Sequence, residues 1–238
     1  AKAQARANPI RSGGPAGGAE TTRPPRESFW LRKGIGPHGA PVRIEPECSG
    51  QRRLPHPIAK SNIMIVQAIA GEYRRYRSLG ERSIQSVEDA ALHRPLTPDG
   101  NSLAILIQHV GGNLASRFAD LLHQDGEASW RHRDREFDDS RRSRSDLLAI
   151  WNRGWDRLEA NLAELSDGDL GRSVLIRGVP LTVAEALSRS LAHTAYHVGQ
   201  IVLLARAHQG SAWQSLSIPR GASTNYAQAP TKEKPPAR

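Results

Sequence analysis

The sequence predicts an all-α fold: a four-helix bundle over residues 64–226, with a short hairpin-like link before the last helix and a disordered N-terminal extension. Three observations carry this reading. Four segments repeat their apolar residues every three to four positions, the period of a helix with one buried face. Ser and Thr cap signals open three of those segments. Residues 1–63 hold 9 of the 16 prolines, interspersed with Gly and Arg, and show neither helical nor strand periodicity. Such a stretch buries too little apolar surface to offset its ordering entropy.

The first helix is expected over about 65–92. Ile65, Ile69, Tyr73, Tyr76, Gly80, Ser83 and Val87 share its face, and Pro95 and Pro98 forbid continuation. The second, about 102–123, follows Asn101 and Ser102, both good N-cap types. It aligns Leu103, Leu106, Val110, Leu114, Phe118 and Leu121, with Gly126 after Asp125 as its stop. The third, about 144–165, opens on Ser143 with Asp146 three residues on, and carries Leu147, Leu148, Trp151, Trp155, Leu158 and Leu162. Core packing explains the two tryptophans first and a partner interface second.

The fourth helix, about 183–208, begins with the capping box Thr182-Val183-Ala184-Glu185 and stops at Gly210. Leu187, Leu191, Thr194, Val198, Val202 and Ala205 face one way. Before it, 172–181 reads as two short extended pieces about Arg177-Gly178, a marginal hairpin. Residues 124–142 form a long, charge-rich link, which permits a crossover between the second and third helices and suggests a functional or covering role.

The net charge of +9 is unevenly placed. Residues 1–63 carry 11 Lys and Arg against 4 Asp and Glu, and residues 227–238 carry 3 against 1. Residues 64–226 carry 19 of each, so the folded part is neutral and a nucleic-acid-binding role is not expected of it. The single cysteine, Cys48, lies in the extension, which excludes a disulfide framework within the chain and leaves the domain without a thiol. No apolar run approaches the roughly 18–20 residues of a membrane span. No secretory signal pattern opens the chain, and a cytoplasmic location is expected. The only methionine, Met64, stands at the onset of the first periodic segment. Residues 1–63 are therefore expected to be an upstream extension, the result of a misassigned start, and dispensable for folding. Residues 227–238 are expected to be a disordered tail.

Candidate chemistry centres on His193 and His197. At i and i+4 they lie on one helix face about one turn apart, the arrangement by which two imidazoles grip one metal. Ala186, Ser190 and Gln200 are near them, small or polar enough to leave room for an ion and a ligand. The Glu that follows the first His in zinc proteases is absent, so that water-activating base is not supplied. His109, in the apolar run Ile105 to Val110, is the third candidate. It is either a core histidine satisfied by a local partner or a ligand facing the pair from another helix. Asn113 and Gln200 are either supporting groups or ordinary interhelical hydrogen bonders. Arg117, two turns beyond His109, and Tyr196, between the paired histidines, are pocket candidates; Arg117 suits an anionic substrate or a surface ion pair. His38, His56, His93, His123, His132 and His208 lie in tails, at helix ends or in the link and are set aside, His132 with the least reason. No catalytic residue is assigned.

A histidine in the second helix with His-x-x-x-His in the last resembles the DinB/YfiT-like superfamily, and an uncharacterised bacterial branch of it in particular. The likeness rests on Gly112–Phe118, Asp125–Phe137, His193–Val202 and Trp213–Gly221, and covers 64–226. It implies a bundle holding one divalent ion, often zinc or nickel, on His109, His193 and His197, with positions left for water or substrate. It also implies that some relatives are transferases dependent on a low-molecular-weight thiol.

The function expected is a metal-dependent enzyme acting on a small molecule, a thiol-dependent S-transferase or a hydrolase. The alternative is a non-catalytic metal-binding or dimerising bundle, and a homodimer is compatible with either. Nucleic-acid binding rests on the tails alone and ranks last.

Overall fold

The computed structural model describes residues 64–233. The expectations for the N-terminal extension, for Cys48, His38 and His56, and for the last few residues of the tail lie outside the described residues.

Helix α1 (Ile65–Gln85) starts without a cap of its own, because Met64 offers no side-chain acceptor. Asp167, far along the chain, supplies it by accepting the N–H groups of Ile65 and Val66 at 2.8 and 2.9 Å. The predicted helix to 92 breaks at Ser86 and resumes as the single turn α2 (Asp89–Leu92). Arg144 explains the break. Its guanidinium donates to the carbonyls of Ile84 and Val87 at 2.8 and 2.7 Å, so the last turn of α1 is satisfied by a side chain from another helix.

Helix α3 (Leu103–Arg117) opens on Ser102, whose hydroxyl accepts the N–H of Ile105. It is buried almost all round, as a helix at the centre of a bundle must be. It ends at Arg117, short of the predicted 123, because α4 (Arg144–Glu164) terminates it. Arg157 donates to the Ala115 carbonyl at 2.9 Å, and Asn161 bridges the Phe118 carbonyl and the Leu121 N–H at 2.8 and 3.0 Å. Ser143 caps α4 by accepting the N–H of Asp146. Trp151 and Trp155 are fully buried, so they belong to the core. The two helices meet through glycine: a Cβ on Gly111 would stand 2.6 Å from the Ile150 carbonyl oxygen, and one on Gly154 would strike the Gly111 carbonyl.

Strands β1 (Ser173–Ile176) and β2 (Val179–Thr182) pair antiparallel, with Ile176 opposite Val179. Arg177 and Gly178 turn between them with φ of 55° and 72°, the two left-handed residues of a type I′ hairpin. Arg177 is not a glycine, and the Asp125 carboxylate holds it there by accepting the N–H groups of Arg177 and Gly178 at 2.7 and 2.6 Å. Burial pushes the Asp125 carboxyl up, but its backbone donors Gly178, Glu127 and Arg177 outweigh this and leave it below the usual range. Gly126 adds an N–H to the Leu175 carbonyl at 2.9 Å. The long link is thereby stitched to the hairpin before it turns as a 3-10 helix, Arg133–Phe137, against α3.

Helix α5 (Val183–Gln209) begins with the predicted capping box, Thr182 and Glu185 each accepting the other's backbone N–H, and stops at Gly210 with φ of 56°. A short α6 (Ser223–Gln228) follows. In the resulting four-helix bundle α3 packs on α4 and α5, and α1 packs on α5 and α4. The core is one cluster built around Tyr73, Phe118, Trp151 and Trp155 with aliphatic residues from all four long helices. No helix among the described residues is long and apolar enough to cross a membrane.

Candidate metal centre

The packing of α3 on α5 brings together three imidazoles that are far apart in sequence. One ligand-type nitrogen from each of His109, His193 and His197 lies within 4.8 Å of the other two. His109 is 3% exposed and His197 8% exposed, while His193 is half-buried and opens the group to one side. Nε2 of His109 stands 3.2 Å from Nε2 of His193.

The outer nitrogens fix the inner ones. Nδ1 of His109 lies 2.9 Å from Oε2 of Glu136, and Nδ1 of His197 lies 2.8 Å from Oε1 of Gln200. Both acceptors are oxygens, so both Nδ1 atoms carry the hydrogen in the neutral rings and both Nε2 lone pairs are left free. At 3.2 Å, either a proton on His193 or a cation must lie between the two facing Nε2 atoms. Two nitrogens on a tetrahedral ion at about 2.0–2.1 Å would stand about 3.3–3.4 Å apart, so this spacing suits a shared ion. Burial, with the neighbouring His197 and His109 after it, pushes His193 down to about 4. Burial pushes His197 down as well, against an opposing hydrogen bond to Gln200. Both shifts favour the neutral imidazole, the form that binds metals.

Glu136 is itself clamped. Arg131 donates Nε and Nη2 to its two oxygens at 2.8 and 2.7 Å, and the Arg131 side chain is 2% exposed. Burial pushes the Glu136 carboxyl up, but hydrogen bonds from Arg131 and His109 overcome it and hold the group below the usual carboxylate range. The carboxylate lies so close over Gly112 that any Cβ there would collide with it. Phe137 covers His109, with ring centroids 4.7 Å apart, and Arg133 covers Phe137 in turn. The long link is therefore both a pinned network and a cover over His109.

The cluster opens into a cleft of about 680 Å³. Asn113 and Arg117 line it from α3, one and two turns past His109. Tyr196 is 63% exposed and packs its ring edge-on to His197 at 4.7 Å, at the rim rather than in the cleft lining. Gln200 meets His197, and Asn113 makes no hydrogen bond to a histidine among the described residues.

Residues 61–222 match the family described as protein of unknown function DUF1572. The chain belongs to this family, which is DinB-like. Among solved structures, it is similar to a DinB-like protein from Bacillus cereus ATCC 10987. Identity is 15% and the TM-score 0.46, over 60% of this chain and 92% of that one. No curated protein matches the chain.

In this DinB-like chain three of the four described histidines set aside earlier have other partners, and the fourth, His132, is exposed. His93 pairs with Asp139 at 2.7 Å, His123 with Asp120 at 2.8 Å, and His208 with the Arg94 carbonyl at 2.8 Å. Sequence reasoning did not single out Glu136. Its signal was chemical: a buried histidine that presents one nitrogen to a partner needs an acceptor for the other. Arg189, which lines the cleft one turn before His193, also went unremarked.

Proposed function

We propose that His109, His193 and His197 hold one divalent metal ion and that the protein is a metal-dependent enzyme acting on a small molecule in the adjoining cleft. The observation that carries this is the convergence of three imidazole nitrogens within 4.8 Å, two of them with their outer nitrogens already engaged. Zinc and nickel suit an all-imidazole donor set. An ion held by three protein ligands keeps a position open, and brings a water or thiol that joins it towards neutrality as a nucleophile.

The chain's own residues do the positioning. Glu136 accepts the Nδ1 proton of His109 and aims Nε2 inward; Gln200 does the same for His197. Arg131 keeps Glu136 ionised and in place. Phe137 keeps water off the His109 ring. The domain has no thiol of its own, and a low-molecular-weight thiol brought from solution as the sulfur nucleophile fits a thiol-dependent S-transferase. Hydrolysis, with water in that role, is the other reaction the same site permits.

The test uses full-length protein stripped of metal and reloaded with zinc or nickel. Turnover of monochlorobimane with a small thiol is then followed: the S–C bond forms, the C–Cl bond breaks, and chloride and a proton leave. The expected result is turnover that needs both metal and thiol, or metal-dependent hydrolysis of an activated ester. Stoichiometric metal without turnover on any thiol or ester would assign a binding role instead.

A further inference from the structure

The cleft has a charge that the domain as a whole lacks. Residues 64–226 are balanced, yet five arginines line this one cavity: Arg117, Arg131, Arg133, Arg177 and Arg189. No carboxylate lines it among the described residues. Two nearby acids compensate part of the charge. Glu136 is taken by Arg131, and Glu127 is shared between Arg131 and Arg177 at 3.3 Å each. Arg117 and Arg189 make no ion pair among the described residues. Arg117 is half-buried, and its Nη1 has no hydrogen-bond partner among the described residues. Buried donors are ordinarily satisfied, so this unpartnered guanidinium nitrogen in a cleft-lining residue points to an acceptor from outside.

Helix geometry sets these groups in line with the histidines. On α3, His109, Asn113 and Arg117 follow one another at four-residue steps. On α5, Arg189, His193 and His197 do the same. The histidines meet at one end of this paired ladder. At the other, Arg117 and Arg189 are close enough to repel each other electrostatically. At 1.5 Å per residue, Arg189 is about 6 Å along its helix from His193, and Arg117 about 12 Å from His109. Phe137, Ile176, Val179 and Leu181 give the same cleft an apolar part.

We propose that the substrate is a small organic oxyanion, a carboxylate or phosphate monoester on an apolar body, seated with its anionic group at Arg117 and Arg189 and its body directed towards the three histidines. This rests on the metal-site reading only for what happens at the histidine end; recognition of the anion is a property of the arginine end. Two unpaired guanidiniums provide charge-assisted hydrogen bonds that a neutral isostere cannot match. The apolar part of the lining favours an organic anion over an inorganic one.

The test titrates benzoate, phenyl phosphate and the neutral isostere benzamide into the full chain by calorimetry, metal-free and zinc-loaded, with zinc binding measured on the same preparations. Benzoate or phenyl phosphate is expected to bind metal-free protein at least about tenfold more tightly than benzamide. The tighter of the two anions assigns the carboxylate or phosphate source. Arg189→Gln, at an exposed position that the fold does not need, is expected to weaken the anion by about tenfold and to leave zinc stoichiometry unchanged. Arg117→Gln should do the same. Benzamide binding as well as benzoate, or anion affinity untouched in both variants, would overturn the proposal. Zinc bound without anion preference sinks this inference alone; anion preference without zinc binding sinks the metal reading and leaves this one standing.

Discussion

The two faces of α3 differ in kind although they share one helix. Towards α4 the contact is dry and close: Gly111 and Gly154 let backbone touch backbone, and Trp151 and Trp155 fill the space beside them. Towards α5 the packing is polar, and His109, Asn113 and Arg117 line one cleft together with His193, His197 and Arg189. The first face supplies rigidity, the second carries the candidate site. Because side chains four residues apart repeat on one face, a single buried helix carries both without either intruding on the other. The lesson is that substitutions on the α4 side should change stability and leave ligand binding of the folded protein intact, while those on the α5 side should do the reverse.

The strongest way to break that division is Trp155→Ala. Removing a fully buried indole is expected to cost about 3–5 kcal/mol by urea unfolding, with unchanged metal stoichiometry in whatever remains folded. Gly154→Ala comes next. The added methyl meets the Gly111 carbonyl, so the helices must separate, at about 1–3 kcal/mol and again without effect on the metal.

On the opposite face, Glu136→Gln should weaken metal binding about 10–100-fold, measured by competition with a chelating dye, while the unfolding midpoint of metal-free protein moves less than in Trp155→Ala. Gly112→Ala displaces the same carboxylate and should reproduce the loss. If Gly112→Ala left affinity at the wild-type level, the role given to Glu136 would be wrong.

The smallest effect is at Asp125. Its carboxyl is lowered in the folded state, so its contribution to stability is complete above the unfolded value of about 3.9 and is lost as pH falls through the lower folded value. The stability gap between wild type and Asp125→Asn should therefore be widest near neutrality and narrow below about pH 4. A gap that widened on acidification would contradict the sign.

Much of this was legible in the chain itself, and the exceptions share a cause. Ser143, the Thr182–Glu185 box and Gly210 act where they were expected, because capping is local. The ends of α1 and α3 were misjudged because Arg144, Arg157 and Asn161, from a distant helix, take the carbonyls that would have carried them further. The histidine pair stood out through its i, i+4 spacing, and the structure brings His109 to it. Glu136 did not stand out, since in the alternating run Arg131 to Glu136 every acid has a neighbouring arginine. Only the fold shows which acid turns towards His109.

The central claim is that three histidines form one metal site. Elemental analysis of purified full-length protein beside His109→Ala tests it most directly, with circular dichroism to show that the variant is folded. The account predicts close to one equivalent of a divalent transition metal in the wild type and its loss in the folded variant. Equal metal content in the two, or none in wild type after zinc dialysis, would contradict it.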